Sequence, residues 1–212
     1  MQTAWHWLTF TAHLLSTCTA QSFSPVADAF ARSRIAPDVL DTPPNMILAA
    51  AFGSHPVQLG NELTPTDVIN QPVLVWSYLL PATRDPPLFT LIELDLDAPT
   101  ATNTSFRSVL HWLVYNIPNM DLARGTIQMP YTGSKPDANT GLHRYALLLF
   151  RQPARLTLPP VGNPNNPAAR IGFDLRSFIQ RYNLGQPVAG NFYVAQADAY
   201  STLFWMLAGT PK

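Results

Sequence analysis

Proline falls all along this chain, 21 times in 212 residues. Each one fixes its own φ and removes a backbone donor, so helix interiors and central strand positions are hard to fill with it. The spacing argues for many turns and sheet edges, and against a helical bundle. Charge is scarce as well. Only 12% of the residues are charged and 47% are hydrophobic, where an average protein is roughly a quarter charged. The length suits one compact domain with a sizeable core. Thirteen Lys and Arg balance thirteen Asp and Glu. There is no basic stripe or run, so no nucleic acid is expected as a partner.

Residues 1–20, MQTAWHWLTFTAHLLSTCTA, read as a secretory signal peptide, with an apolar stretch from Trp5 to Leu15 and a small-residue site, Cys18-Thr19-Ala20, before Gln21. The stretch lacks Lys and Arg at its start and is diluted by Thr and His; the alternative is a short buried or interfacial helix. No later segment approaches the roughly 18 to 20 apolar residues of a membrane span. Cys18, the only cysteine, would leave with the signal, as would His6 and His13. Residues 21–212 are then expected to fold as a single domain without a disulfide. Secretion would make Asn103-Thr104-Ser105 a glycosylation site at Asn103.

The chain shows no repeat, low-complexity tract or linker. Val26 to Ile35 reads as a weak helix and Met46 to Phe52 as an apolar run ending at Gly53. Strands are predicted over Pro72–Tyr78, Leu88–Leu94, Val109–Ile117 and Arg144–Phe150, with a further one at Gly190–Val194. This spacing suggests an antiparallel sheet or sandwich. In FDLRSFIQRYNLG the apolar residues Leu175, Phe178, Ile179 and Tyr182 keep helical spacing, with Asp174 to cap the start and Gly185 the end. AYSTLFWMLAG reads as a shorter helix ending near Gly209.

Three strand ends carry polar groups that an apolar sheet does not need. Asp95, in Asp95-Leu96-Asp97-Ala98-Pro99, shares parity with Phe89, Leu91 and Glu93, which places a carboxylate on a core-facing side where it needs donors. Period 2 groups His111 with Val109, Leu113 and Tyr115 and puts Trp112 on the other face. Its simplest reading is a buried neutral imidazole bonded to a backbone carbonyl. His143, Arg144 and Tyr145 follow a long loop that starts at Tyr131. There, Gly133-Ser134 and Thr140-Gly141 can offer backbone N–H groups to an anion. Arg144 alone reads as the partner of a nearby acid.

Taken together, these segments resemble the phosphatidylethanolamine-binding protein family, in a secreted fungal-type form. The resemblance lies in Asp95-Leu-Asp97-Ala-Pro99, in His111 followed by Asn116-Ile-Pro118, in Gly133-Ser134-Lys-Pro136 and in Gly141-Leu-His143-Arg144-Tyr145. It extends to Leu63-Thr-Pro-Thr, Trp76 and Pro187-Val-Ala-Gly190. It implies a mainly β fold, a large antiparallel sheet packed on a smaller sheet with flanking and C-terminal helices. It also implies a small pocket for phosphate-like or carboxylate anions or a lipid head group. Asp95, His111 and His143 would line it, with Asp97, Pro99, Gly133 and Tyr145 shaping it. Two departures stand out. Leu96 takes the place of a proline, which would loosen the acidic turn. Phe204 or Trp205 takes the place of a tyrosine on the C-terminal helix, which removes a phenol from the pocket.

Binding of a small anionic ligand is the first functional expectation, strengthening as pH falls through the histidine range. A second is acid–base catalysis by His111, His143 and Asp95, as in relatives recruited to couple maleic-anhydride-type units in fungal polyketide pathways. A third is a protease-inhibitor-like protein partner. Ser134 lies near His143 in sequence, but no Gly-x-Ser-x-Gly elbow supports a hydrolase. Neither a metal nor a cofactor is expected, since the histidine spacing fits no metal motif.

Overall fold

The computed structural model describes residues 24–77, 86–161, 163–164 and 166–208. The predicted signal peptide, Tyr78 and Gly209 lie outside them. Among the described residues nine strands form two sheets: β1 (Met46–Ile47), β2 (Ala49–Phe52), β3 (His55–Pro56), β4 (Val73–Val75), β5 (Leu88–Asp95), β6 (Val109–Pro118), β7 (Thr126–Met129), β8 (His143–Arg151) and β9 (Ala189–Ala195). The large sheet has the order β1-β9-β8-β5-β6-β7 and the small one β3-β2-β4. The large sheet is mixed rather than wholly antiparallel, because β1 runs parallel to β9 at its edge. The Met46 to Phe52 run is therefore not one strand. It splits between the sheets at buried Leu48, whose N–H donates to the Gly190 carbonyl.

The central strands are apolar on both faces because both are covered. Toward the small sheet, Phe52, Trp76, Leu91, Trp112, Tyr145, Leu147 and Tyr193 pack together. On the opposite face, Ile92, Leu94, Leu148, Phe150 and Phe192 meet Phe30, Leu40 and Leu175 from the helical segments. Helix α1 (Pro25–Arg32) starts where Ser24 Oγ accepts from the Ala27 N–H, with Pro25 at its first turn. It turns Val26, Ala29 and Phe30 inward. Gly190 admits that contact, since a Cβ there would lie 2.9 Å from Phe30 and 2.7 Å from Pro44. A single turn, α2 (Ile35–Asp38), follows. Asp174 caps α3 (Leu175–Arg181), accepting from the Ser177 N–H at 3.1 Å. The last helix, α4 (Ala199–Ala208), lies where the sequence predicts one.

Strand β6 is bulged twice against β5. Glu93 faces Trp112 while Leu94 faces Leu110, so His111 is the extra residue. This corrects the alternation expected from the sequence. The bulge turns the His111 ring to the small-sheet side, where it meets Tyr145 edge-on at 5.2 Å, the same side as Trp112. Farther along, Phe89 faces Ile117 while Leu91 faces Val114, and Asn116 takes a φ of 55°. Asparagine tolerates that left-handed conformation. Its amide exchanges bonds with Gln152 and with the backbone of Leu156.

Candidate functional site

Asp95 ends β5 and faces Tyr145 across β8. Pairing of β5 with β8 also brings it to His143, the first residue of β8. Asp95 Oδ2 lies 2.9 Å from His143 Nδ1, and Asp95 Oδ1 accepts from the Asp97 N–H at 2.8 Å. Both groups are buried. The other imidazole nitrogen, Nε2, lies 2.9 Å from Thr140 Oγ1, so both nitrogens of His143 are occupied by protein. The Thr140 hydroxyl in turn donates to the Asp137 carbonyl, which closes the loop onto the histidine.

His111 arrives from the β6 bulge. Its Nδ1 lies 2.8 Å from the Thr132 carbonyl, and Nε2 makes no hydrogen bond with any described residue. Burial pushes the ring down to about 4, against the pull of Asp95 and the Thr132 bond and with help from Lys135 and Arg170. The simple reading of His111 thus describes one nitrogen and leaves the other free. Tyr145 stacks between His143, at 6.4 Å and 15° to its ring, and Tyr193, at 5.0 Å and 12°. Burial raises the Tyr145 phenol well above its ordinary value, and the nearby Asp95 carboxylate adds to it. The phenol oxygen forms no hydrogen bond of ordinary geometry, so Asp95 acts on it by proximity.

The other expected residues fall around this cluster. Asp97 is a structural ion pair. Arg144 holds it through Nε at 2.8 Å, a terminal nitrogen at 2.6 Å and the backbone N–H at 2.9 Å, and Arg107 adds a contact at 3.3 Å. Burial opposes the charge, yet these bonds keep the carboxyl below its ordinary value. Arg144 also donates to the Ser33 carbonyl and so ties the strand to α1. Leu96 does not loosen the segment: it is fully buried, its N–H donates to the Arg144 carbonyl at 3.0 Å and its carbonyl accepts from Arg107. A proline could not donate that bond. Pro99 follows a cis peptide and is partly exposed. At Gly133 a Cβ would lie 2.3 Å from the Val68 carbonyl, so close packing demands glycine there. Asn103 is exposed, and its side-chain oxygen accepts from the Ser105 N–H. His55 is exposed and lies 3.4 Å from Asp67.

Glu93 and Lys135 were given no role from the sequence. Glu93 is fully buried two residues before Asp95 and on the same side. Burial pushes its carboxyl up to about 8, against the bond from the Tyr193 hydroxyl, and its second oxygen has no partner among the described residues. Among the described residues Ser134 Oγ is buried without a hydrogen bond of ordinary geometry, lies close enough to the Tyr193 hydroxyl to act on it, and makes no bond to His143. Lys135 Nζ donates to Thr132 Oγ1 at 2.8 Å and sits 5.0 Å over the Phe204 ring. Trp205 Nε1 donates to the Lys135 carbonyl at 2.9 Å. Phe204 and Trp205 therefore both bind the Gly133–Pro136 loop, which settles how α4 meets it. A surface cleft lined by Ala138, Asn139, Gly141, Gln196, Ala197 and Thr202 flanks Thr140. Among the described residues, no three His, Cys, Asp or Glu side chains are grouped to hold a metal, and no helix is long and apolar enough to cross a membrane.

Fold and cluster together define a two-sheet β protein with a buried carboxylate–imidazole pair at one rim of its wide sheet. The chain belongs to the phosphatidylethanolamine-binding protein family, whose sequence profile matches residues 53–193. It is 40% identical over 170 residues to a 26 kDa secreted antigen of Toxocara canis, a match covering 79% of this chain and 63% of that protein. The chain thus spans 63% of the length of that relative. Two solved structures share the fold. The carboxypeptidase Y inhibitor, solved in complex with its cognate proteinase, has a TM-score of 0.68 at 24% identity, over 84% of this chain and 99% of that one. The phosphatidylethanolamine-binding protein of Plasmodium vivax has a TM-score of 0.65 at 21% identity, over 82% and 99%.

Proposed function

We propose that Asp95, His111, His143 and Tyr145, with the Gly133–Ser134 loop, form the site where this protein binds the oxyanion group of a small ligand. One observation carries the reading. Three strands bring an acid, two imidazoles and a phenol to one place, and among the described residues the Tyr145 and Ser134 hydroxyls make no hydrogen bond of ordinary geometry, with Asp95 near the first and Tyr193 near the second. Buried polar atoms without partners are rare, and a bound guest supplies what the fold leaves out. The cleft on either side of Thr140 borders the residue that covers His143 Nε2, though none of the cluster residues lines it. Because His143 is already bonded on both nitrogens, a guest reaches its Nε2 only by displacing Thr140. His111 does not supply the expected gain in affinity through the histidine range, since it stays neutral down to about 4.

Titration of inorganic phosphate into the wild-type protein, followed by amide NMR shifts, tests the reading. Shifts should concentrate at residues 133–134 and 140–145, and His143→Ala should weaken binding about tenfold, the loss of one charge-assisted hydrogen bond. A His55→Ala control should leave it unchanged. Equal phosphate affinity in wild type and His143→Ala removes His143 from the site.

Secretion is part of the proposal, supported by the apolar leader in residues 1–20 and by the secreted antigen among the relatives. In that setting exposed Asn103 is a glycan acceptor. A protein partner of protease type is supported by the fold shared with a proteinase inhibitor. Acid–base work on maleic-anhydride-type units of a fungal pathway is a second chemistry for the same cluster, favoured by the buried Asp95–His143 pair. It would rest on that pair, because an imidazole held near 4 is a weak base. Incubation with activated monomers checks it: an unchanged dimer yield excludes it.

A further inference from the structure

Lysine stands at positions 135 and 212 alone, and the rest of the thirteen Lys and Arg residues are arginines. Lys212 lies outside the described residues. Arg34, Arg107, Arg144 and Arg176 each pair with an aspartate. Arg170 is spent on the carbonyls of Leu110, His111, Pro130 and Pro164. Lys135 has no counter-ion: among the described residues, no carboxylate lies within ion-pair distance of its Nζ. Its two bonds run to Thr132 Oγ1 at 2.8 Å and to the Gly133 carbonyl at 3.3 Å. A neutral amine has two hydrogens, so both bonds survive the loss of a proton, and a lone pair is left over. The Phe204 ring, 5.0 Å from Nζ, favours the charged form. Burial opposes it, the charge of Arg170 adds to that, and together they hold the group below its ordinary value. His111 shares Thr132 with the amine, bonded to that residue's carbonyl, and is itself neutral. An arginine would keep its proton under the same pressure, which is a reason for lysine at this one place.

We propose that Lys135 is an activated amine that captures small uncharged aldehydes as an imine on Nζ. The nitrogen lone pair forms a bond to the carbonyl carbon, and the displaced C=O pair moves onto oxygen. Both amine hydrogens then leave with that oxygen as water while the C=N bond closes. The Thr132 hydroxyl, which accepts from the amine, can turn and donate to the imine nitrogen. Lys135 is half-buried rather than enclosed, so a guest can reach it. Trp205, edge-on to Phe204 at 5.2 Å, pins the loop by donating to the Lys135 carbonyl, and the amine therefore stands beside an aromatic wall. That wall suits an apolar substituent on the carbonyl. With the Arg170 guanidinium spent on backbone carbonyls, nothing at the amine selects an anionic one.

The test incubates the full chain with propanal and cyanoborohydride at about pH 7, with Nα-acetyl-lysine amide in the same tube as the reference amine, and maps the adducts by peptide mass spectrometry. Lys135 should gain the reduced imine at least about threefold faster than the reference, because the larger neutral fraction outweighs the nucleophilicity lost with basicity. The advantage should shrink at about pH 9, where more of the reference amine is neutral as well. Arg170→Gln, which removes the opposing charge and keeps an amide donor, should slow the reaction at Lys135 toward the reference rate. Labelling of Lys135 no faster than the reference in the unaltered protein at neutral pH overturns the assignment. So does an advantage that is unchanged in the more alkaline sample, which a favourable fit of the guest alone would give. Either result leaves the phosphate titration at residues 133–134 and 140–145 untouched, and failure of that titration leaves the amine untouched.

Discussion

Strand β6 breaks its register twice, and the two breaks are finished differently. At Asn116 the gap is closed by amides. Asn116 Oδ1 accepts from Gln152 Nε2 and from the Leu156 N–H, while Asn116 Nδ2 donates to the Leu156 carbonyl. Gln152 Oε1 accepts from Thr90 Oγ1 and the Asn116 N–H, and its Nε2 also reaches the Ala154 carbonyl. Every side-chain nitrogen and oxygen of the two amides has a partner, and neither amide titrates. At His111 the same kind of bulge faces a carboxylate, a second imidazole and a phenol, and polar atoms are left over: His111 Nε2, the Tyr145 and Ser134 hydroxyls and one oxygen of Glu93. Burial of polar groups does not distinguish the two clusters. Completeness of their hydrogen bonding does. The Asn116 end should therefore answer to mutation in stability, and the His111 end in binding and in pH.

The largest expected effect is at the Asn116 end. Gln152→Leu leaves the Thr90 hydroxyl and the Asn116 N–H without partners and takes one donor from Asn116 Oδ1. At about 1–3 kcal/mol for each buried group left unsatisfied, the variant should lose about 3 kcal/mol. Urea unfolding at pH 6 and at pH 8 should return the same loss, because nothing in the network ionises. Phosphate affinity should not change. A loss that varies with pH, or one below about 1 kcal/mol, breaks the contrast.

The next effect belongs to the His111 end. Glu93 is protonated in the folded protein up to about pH 8, whereas an exposed glutamate ionises near 4.3. Between those values the folded state holds a proton that the unfolded chain gives up. Stability from this group is thus complete at low pH and is lost as pH rises toward 8. His111, held at about 4, works in the opposite sense. The folded protein refuses a proton that the unfolded chain accepts, so its contribution is lost as pH falls from about 6.5 toward 4. Above pH 6.5 only Glu93 of the two acts. Wild-type stability should fall by about 2 kcal/mol between pH 6.5 and 8, and Glu93→Gln should remove most of that fall. Parallel pH profiles for the two proteins would show that Glu93 is not the buried acid described above.

How much of this was legible beforehand follows from the range of the forces involved. The strands β5, β6, β8 and β9 were readable because their apolar pattern is local and strong. So was the facing of Asp95, whose parity with Phe89, Leu91 and Glu93 survives in the folded sheet. The facing of His111 was not, since a bulge is set by pairing with β5 and a period-2 reading assumes none. The short strands β3 and β7 carry no periodic signal, and β1 is two residues whose partner, β9, lies at the far end of the chain. Glu93 was legible as a residue on the core side but not as a functional group. Its one bond comes from Tyr193, 100 positions away. The motif GLHRY marked His143 and Arg144 together. The fold then gives them to opposite faces, one to Asp95 and the other to Asp97, as strand alternation requires.

The smallest structural effect is also the sharpest form of the contrast. Tyr145→Phe removes one oxygen from a ring that stays packed between His143 and Tyr193. Among the described residues that oxygen makes no hydrogen bond of ordinary geometry, and it is fully buried. Deleting an unpartnered buried hydroxyl relieves a desolvation cost, so stability should stay within about 0.5 kcal/mol of wild type or rise slightly. If the hydroxyl is kept for a guest, phosphate affinity should fall about tenfold while unfolding is unchanged. Ser134→Ala, which also deletes an unpartnered oxygen, should behave in the same way and more weakly, because alanine leaves the packing of the Gly133–Pro136 loop intact. Were both variants to lose stability as Gln152→Leu does and keep their affinity, the polar atoms at the His111 end would be ordinary parts of the core, and the difference between the two bulges would be one of chemistry without function.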